Sequence, residues 1–168
     1  CLRKTPEKPV AIQIGSRCIL IVNGSKTAYA FAVSSPERLK KVAKNGTLFD
    51  TKQLPDCTHG DQIDFLRRIS NATFNYASVI HKAYNESEEF DQYDAENSLD
   101  RQLSLVSRLI KGDLGSKIYM VSLGGFDTHG SQPERHQKLL TTLSNSIKVF
   151  YDDLKYYGLD KKVLQLTW

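Results

Sequence analysis

The sequence predicts an α/β fold, in which a mostly parallel sheet is flanked by helices and short β-strands lie at the N-terminus. Two observations lead to this class. Runs rich in Val, Ile and aromatic residues alternate with stripes of apolar residues at helical spacing. The last third also has the order strand, helix, strand, and a crossover helix makes its two strands parallel neighbours or near neighbours. Helices predicted in the middle of the chain can cover such a sheet.

Composition narrows the class of protein. The chain has 168 residues, 40% of them hydrophobic, which suits one domain with a packed core and excludes general disorder. The net charge is +4, from 23 basic and 19 acidic residues, and a charge this small does not by itself indicate binding to nucleic acid. No apolar run approaches the roughly 18 residues of a membrane span. Three cysteines, Cys1, Cys18 and Cys57, form no disulfide framework, and Cys57 with His59 is at most half of a zinc site.

The first third is β-like and then helical. Strands are predicted at Val10–Gly15, Cys18–Asn23 and Tyr29–Val33, and we expect them to form a meander or a hairpin extension, because Gly-Ser and Asn-Gly-Ser turns separate them. A short helix, Pro36–Lys44, should follow, with Ser35 as its N-cap.

Two longer helices are predicted in the middle of the chain. The first runs from about Asp61 to Tyr84, where Thr58 and Asp61 have spacing like that of a capping box. An acidic, solvated loop, Asn85–Glu96, comes next. The second helix ends at Gly112. Its amphipathic stripe is formed by Leu99, Leu103, Val106 and Ile110.

The last third contains the predicted β–α–β unit. A strand at Lys117–Leu123 leads into a loop, Gly124–Ser131. The helix after it begins with capping-box spacing of Ser131 and Glu134 and ends at Gly158. A second strand is predicted at Lys161–Trp168.

The Gly124–Ser131 loop carries the candidate chemistry, because ligands of open α/β sheets bind beyond the carboxyl ends of strands. We expect an anion to bind at the backbone of Gly124 and Gly125 and at the helix amides near Ser131. Residues two apart in an extended loop point the same way, so Asp127 and His129 can face one cation. His136 lies one to two turns into the helix and can point back toward the loop.

Ordinary turn chemistry also explains this loop. Asp127 can form an Asx-turn, and His129 can bond to a backbone carbonyl. Three ligands do not complete a zinc site, so further ligands would have to come from elsewhere. Four N-x-S/T sequons also occur, at Asn23, Asn45, Asn71 and Asn85, and composition explains them at least as well as glycosylation does.

The stretch Val121–Leu140, VSLGGFDTHGSQPERHQKLL, resembles the DUF1501 family, whose hallmark is a strand followed by G-G-F/W-D-T-H, Gln, His and a Leu-Leu helix. Flanking features are also similar, namely the F-x-x-D-L helix end at Phe150–Leu154 and the turn at Gly158–Val163. The resemblance covers essentially the whole chain. It implies a partial alkaline-phosphatase-like or sulfatase-like fold, and it identifies residues 1–168 as the central fragment of one domain whose N- and C-terminal parts are missing.

The resemblance also implies a function. Proteins of this superfamily use paired divalent cations on phosphate or sulfate esters. Asp127 and His129 would supply some of the metal ligands of such a site. The cation would be zinc, manganese, magnesium or calcium. The parent would be exported to the periplasm or cell surface, and the fragment alone would be inactive. The alternative is a surface binding or structural protein that keeps the hydrolase fold without its chemistry. Neither hypothesis includes a nucleic acid as a partner.

Overall fold

The structure is a computed structural model that describes residues 7–15, 30–51, 59–127 and 132–168. Within these residues it has an α/β fold, as predicted, with a small three-stranded parallel sheet and four helices. A short 3-10 turn, Asp160–Lys162, follows the last helix. In chain order the elements are β1 (Ala11–Ile14), β2 (Ala30–Val33), α1 (Pro36–Asn45), α2 (Gly60–Asn85), α3 (Ser98–Lys111), β3 (Ile118–Met120) and α4 (Gln132–Tyr156).

The sheet has the order β2-β1-β3, and both of its strand pairs are parallel. Ala11 lies opposite Ala30 on one side and opposite Ile118 on the other. The prediction of a meander or hairpin extension is therefore wrong for β1 and β2, which pair directly in the same direction. Turn-forming residues between them were compatible with a longer crossover as well as with a tight turn. The predicted strand at Cys18–Asn23 lies outside the described residues.

The prediction that Lys161–Trp168 forms the second strand of the β–α–β unit is also wrong. Its first residues form the 3-10 turn, and residues 163–168 join no strand pair among the described parts of the sheet. Val163 has extended backbone angles, so alternation in the sequence indicated the local backbone shape but not a pairing partner. The apolar side chains of this segment are exposed, with 86% for Leu164, 74% for Leu166 and 94% for Trp168.

Helix ends follow capping chemistry at most of the predicted positions. Ser35 caps α1, since its hydroxyl accepts from the Arg38 amide, and Gly158 (φ +68°) follows the end of α4. Asn97, which was not predicted as a cap, accepts from the Leu99 amide at the start of α3. At the start of α2 the capping position is His59, whose side chain makes no capping hydrogen bond. Thr58 itself lies outside the described residues.

The core lies where the sheet meets the buried faces of the helices. β1 is buried at all four positions, as a central strand of a parallel sheet requires. Helices α2 and α3 approach each other closely at Gly112, where an added Cβ would lie 2.0 Å from the Ala83 carbonyl oxygen. The core includes Ile12, Val33, Tyr76, Ile80, Leu109 and Leu154.

Candidate functional site

The loop containing Gly124–Asp127 leaves the sheet at the edge where ligands bind in α/β proteins. All three strands run in the same direction, so their carboxyl ends share one edge, and the loop follows β3 at that edge. The chain places β2 on one side of β1 and β3 on the other, which makes the β1/β3 boundary the point where strand order reverses. Ligands of open α/β sheets occupy the crevice at that point.

Both segments that follow these two strands contain glycines with backbone angles that disfavour other residues. Gly15 follows β1 with φ +136°, and its amide donates to the Val33 carbonyl at 2.8 Å. Gly125 in the loop has φ +100°. A Cβ on Gly15 or on Gly124 would meet nothing within 4 Å, so there is open space at both positions.

His136 connects α4 to this loop. Its Nε2 lies 3.2 Å from the backbone oxygen of Phe126, and the two rings are 6.1 Å apart. The sequence-based expectation that His136 points back toward the loop is confirmed. A carbonyl oxygen only accepts, so Nε2 is the donor in this bond. Histidine ligands of metals are commonly held in this way by a backbone carbonyl.

The structure describes four of the six predicted site residues. Gly124, Gly125 and Asp127 lie together on the exposed loop, and His136 contacts the residue before Asp127. His129 and Ser131 lie outside the described residues. Across the described ranges, no group of three or more His, Cys, Asp or Glu side chains is arranged to hold a metal ion. The donors that are described, one carboxylate and one imidazole, are of types that zinc and manganese accept.

Two polar side chains of α2 make contacts away from this loop. His81 lies 3.1 Å from the Asn85 amide nitrogen on the same helix. The carboxamide of Asn71 holds the backbone of Phe49, accepting from its amide at 2.8 Å and donating to its carbonyl at 2.9 Å. Cys57 lies outside the described residues, so the half zinc site with His59 stays a sequence prediction.

Sequence reasoning missed a polar groove between the turn before α3 and the exposed face of α4, with a volume of about 510 Å³. Residues from both elements line it, including Asp94, Asn97 and Asp100 from the turn and the start of α3. One signal was available in the sequence, because an Asn before the apolar stripe of α3 is typical of a helix cap. Nothing in the sequence indicated that α4 would lie beside it.

No protein-family model matches the chain, and neither a curated protein nor a solved structure matches it. Within the described residues, no helix combines the length and apolar character needed to cross a bilayer.

Proposed function

We propose that this chain carries part of the divalent-metal site of an exported hydrolase-like protein that acts on phosphate or sulfate esters. In this proposal Asp127, His129 and His136 contribute to holding the cation. Gly124, Gly125 and the helix amides near Ser131 bind the anionic group of the ester. The resemblance of Val121–Leu140 to the DUF1501 family suggests this reaction class and an exported location.

One observation carries the proposal. The Gly124–Asp127 loop follows β3 at the β1/β3 boundary, where the strand order reverses, and the Phe126 carbonyl in it holds Nε2 of His136 at 3.2 Å. This bond fixes the orientation of the His136 ring, as a backbone carbonyl commonly does for histidine ligands of metals. The position of the loop in the fold and the orientation of the His136 ring therefore both support a site at this loop.

Each group of the loop would then have a definite role. A bound divalent cation supplies charge that stabilises the anion developing on a phosphoryl or sulfuryl group. Asp127 supplies a hard oxygen donor and offsets part of the cation's charge. Gly124 has no side chain, and open space surrounds its Cβ position, so a ligand can approach the loop backbone closely. The Phe126 carbonyl holds the His136 ring in one orientation.

Metal analysis of the intact protein tests this proposal. After loading with zinc, manganese, magnesium or calcium and removal of free ions, we expect bound metal to fall by about tenfold or more in Asp127→Ala and His129→Ala. His81→Ala is the matched control, because it removes an imidazole that contacts Asn85 on α2, away from the loop. Unchanged metal content in both loop variants would contradict the assignment. An activity screen over phospho- and sulfo-esters with the same ions then identifies the reaction.

The second candidate is a surface binding or structural protein without hydrolase chemistry. Among the described residues no group of three or more His, Cys, Asp or Glu side chains is arranged to hold a metal ion, and the predicted ligand His129 lies outside them. The two candidates differ in what the protein does with a bound ester. A binding protein retains the ester unchanged in the presence of every metal, whereas a hydrolase releases phosphate or sulfate.

A further inference from the structure

The side chain of Gln102, on α3, is bonded to the backbone just before the Gly124–Asp127 loop. Its Oε1 accepts from the Ser122 amide at 2.9 Å, and its Nε2 donates to the Ser122 carbonyl at 2.9 Å. Nε2 also donates to the Ser98 carbonyl, one turn earlier on α3, at 3.1 Å. The carboxamide therefore has a donor for its oxygen and a carbonyl for each of its two N–H groups.

This pair of bonds replaces strand pairing where the sheet stops. β3 ends at Met120, and the residues after it join no strand pair among the described parts of the sheet. Two residues of an antiparallel sheet exchange N–H and C=O bonds in the way that Gln102 exchanges them with Ser122. The alternation of a strand also continues here, because Val121 and Leu123 pack against the core and Ser122 is exposed.

The loop is held a second time, from α4. Nε2 of His136 lies 3.2 Å from the Phe126 oxygen. A Cβ added to Gly125 would lie 3.6 Å from the Leu139 side chain, so the loop backbone passes close to α4. The loop therefore has two anchored positions, Ser122 bonded to α3 and Phe126 bonded to α4, with only three residues between them.

The composition of the loop makes these anchors necessary. Gly124 and Gly125 are consecutive, and glycine loses more conformational freedom on ordering than any other residue. Packing does not restrict Gly124, because its Cβ position has nothing within 4 Å. The bonds at Ser122 and Phe126 therefore set the direction in which the chain crosses the two glycines. Asp127 comes one residue after the second anchor.

The two helices that carry the anchors are fixed to each other. Asn97, at the start of α3, donates to the Ser146 hydroxyl of α4 at 3.0 Å. Lys111, at the end of α3, pairs with Asp153 of α4 at 3.0 Å. Because α3 is tied to α4 near both of its ends, Gln102 projects from a rigid support, as a side chain that orients a site requires.

We propose that Gln102 is a positioning residue for the candidate site. Its carboxamide sets the path of the backbone from β3 into the loop, and so sets where Asp127 lies relative to His136. The part of this inference that concerns the backbone needs no metal, whereas the consequence for a bound cation rests on the proposed function of the loop. Groups that orient metal ligands without touching the metal change its affinity by about 10- to 100-fold when they are replaced.

Gln102→Met tests the effect on the backbone, because methionine is of similar length and makes neither bond to Ser122. In heteronuclear NMR spectra of the metal-free intact protein, we expect the amide signals of Gly124, Gly125 and Phe126 to shift. Exchange of the Ser122 amide hydrogen should become about tenfold faster. Gln102→Glu keeps an acceptor for that amide and loses the donor to the carbonyl, so its exchange should increase less.

Gln62→Met is the matched control, since Gln62 is exposed on α2. It should change neither the loop signals nor the exchange of Ser122. Titration with zinc alone, followed through the loop signals, tests the effect on the cation. We expect the zinc dissociation constant to rise by about tenfold in Gln102→Met and to stay unchanged in Gln62→Met. A residue that only stabilised the fold would accelerate exchange throughout α3 and α4 and leave the loop signals and the zinc affinity unchanged.

The inference is overturned if Gln102→Met and Gln62→Met give the same loop signals and the same Ser122 exchange. Equal zinc affinity of Gln102→Met and the unmodified chain also overturns it. If the unmodified chain binds no zinc, the proposed function fails, and the loop signals alone then support or overturn the role of Gln102. Should Gln102→Met fail to fold, Gln102→Glu decides in the same way, because it too loses the bond to the Ser122 carbonyl.

Discussion

Lys111 at the end of α3 and Asp153 near the end of α4 form a buried ion pair, with Nζ 3.0 Å from Oδ1 and the side chains 4% and 0% exposed. Asp153 also accepts from the Ser107 and Tyr93 hydroxyls, so each carboxylate oxygen has a partner. The Lys111 ammonium lies 4.6 Å from the centre of the Tyr157 ring. Breaking such a pair on one side leaves an uncompensated buried charge.

Removing one partner should therefore destabilise the protein strongly. We expect Lys111→Met to lower the free energy of unfolding by about 3–5 kcal/mol, measured by urea denaturation at neutral pH. Lys148→Met is the matched control on α4, because Lys148 pairs with Asp152 in an exposed position and such pairs contribute about 0.5 kcal/mol or less. Equal losses in the two variants would contradict the burial argument.

Tyrosine ionisation should weaken the fold at high pH. Burial, and then the Asp153 carboxylate, raise the pKa of Tyr93 well above its ordinary value, and burial is the main cause that raises the pKa of Tyr119 to about 12. A raised pKa favours the neutral phenol in the folded state. Its contribution to stability is therefore present in full below about pH 10 and is lost as the pH rises toward the folded pKa.

Unfolding free energies measured between about pH 8 and pH 11 test this predicted loss of stability with rising pH. Tyr93→Phe should cost about 1 kcal/mol at the lower pH, because the hydrogen bond to Asp153 is lost. Its stability should then decline less steeply with pH than that of the unmodified chain. Tyr156→Phe, at an exposed position, should follow the unmodified chain throughout. Identical pH dependence for all three proteins would show that Tyr93 does not titrate differently on folding.

Gly112 should tolerate no side chain. An added Cβ would lie 2.0 Å from the Ala83 oxygen, so Gly112→Ala forces α2 and α3 apart, and we expect a loss of about 1–3 kcal/mol in unfolding free energy. Gly124→Ala is the control, because its Cβ would meet nothing within 4 Å. A thermal melt of Gly112→Ala that matches that of Gly124→Ala would contradict the close approach of the two helices.

The pairing of Asn71 with Phe49 should fasten the segment after α1 to α2. Asn71→Ala removes both hydrogen bonds to the Phe49 backbone, and we expect a loss of about 1–3 kcal/mol. Hydrogen exchange at the Phe49 amide should accelerate at the same time. Ser78→Ala, at an exposed position of the same helix, should change neither quantity. Unaltered exchange at Phe49 in Asn71→Ala would refute the role of this pairing.

Local signals predicted most of the helices. The apolar spacing in α3 and the Ser35-Pro36 start of α1 depend on residues within a turn or two of each other, so the sequence alone was sufficient for them. The sequence alone was also sufficient to predict the loop after β3 and the approach of His136 to it. Only ten positions separate His136 from Phe126. The metal and anion roles of the loop stay predictions.

Local sequence patterns did not predict which distant parts of the chain pair with each other. The direct parallel pairing of β1 with β2 depends on how the chain crosses between them, and turn-forming residues do not specify that path. Residues 161–168 have strand-like alternation, but pairing requires a neighbouring edge, which no local pattern encodes. Nothing in the local sequence distinguishes Lys111 from other basic residues at helix ends, because its partner Asp153 lies 42 positions away.

The β2-β1-β3 order has a consequence for how the chain folds. Pairing of β1 with β3 joins distant parts of the chain, as the bond from the Ser116 hydroxyl to the Pro9 carbonyl does across 107 positions. Closing so long a loop costs entropy before the contacts form, so helices should assemble early and the sheet late. Substitutions in β1 should accordingly accelerate unfolding and leave the rate of folding nearly unchanged.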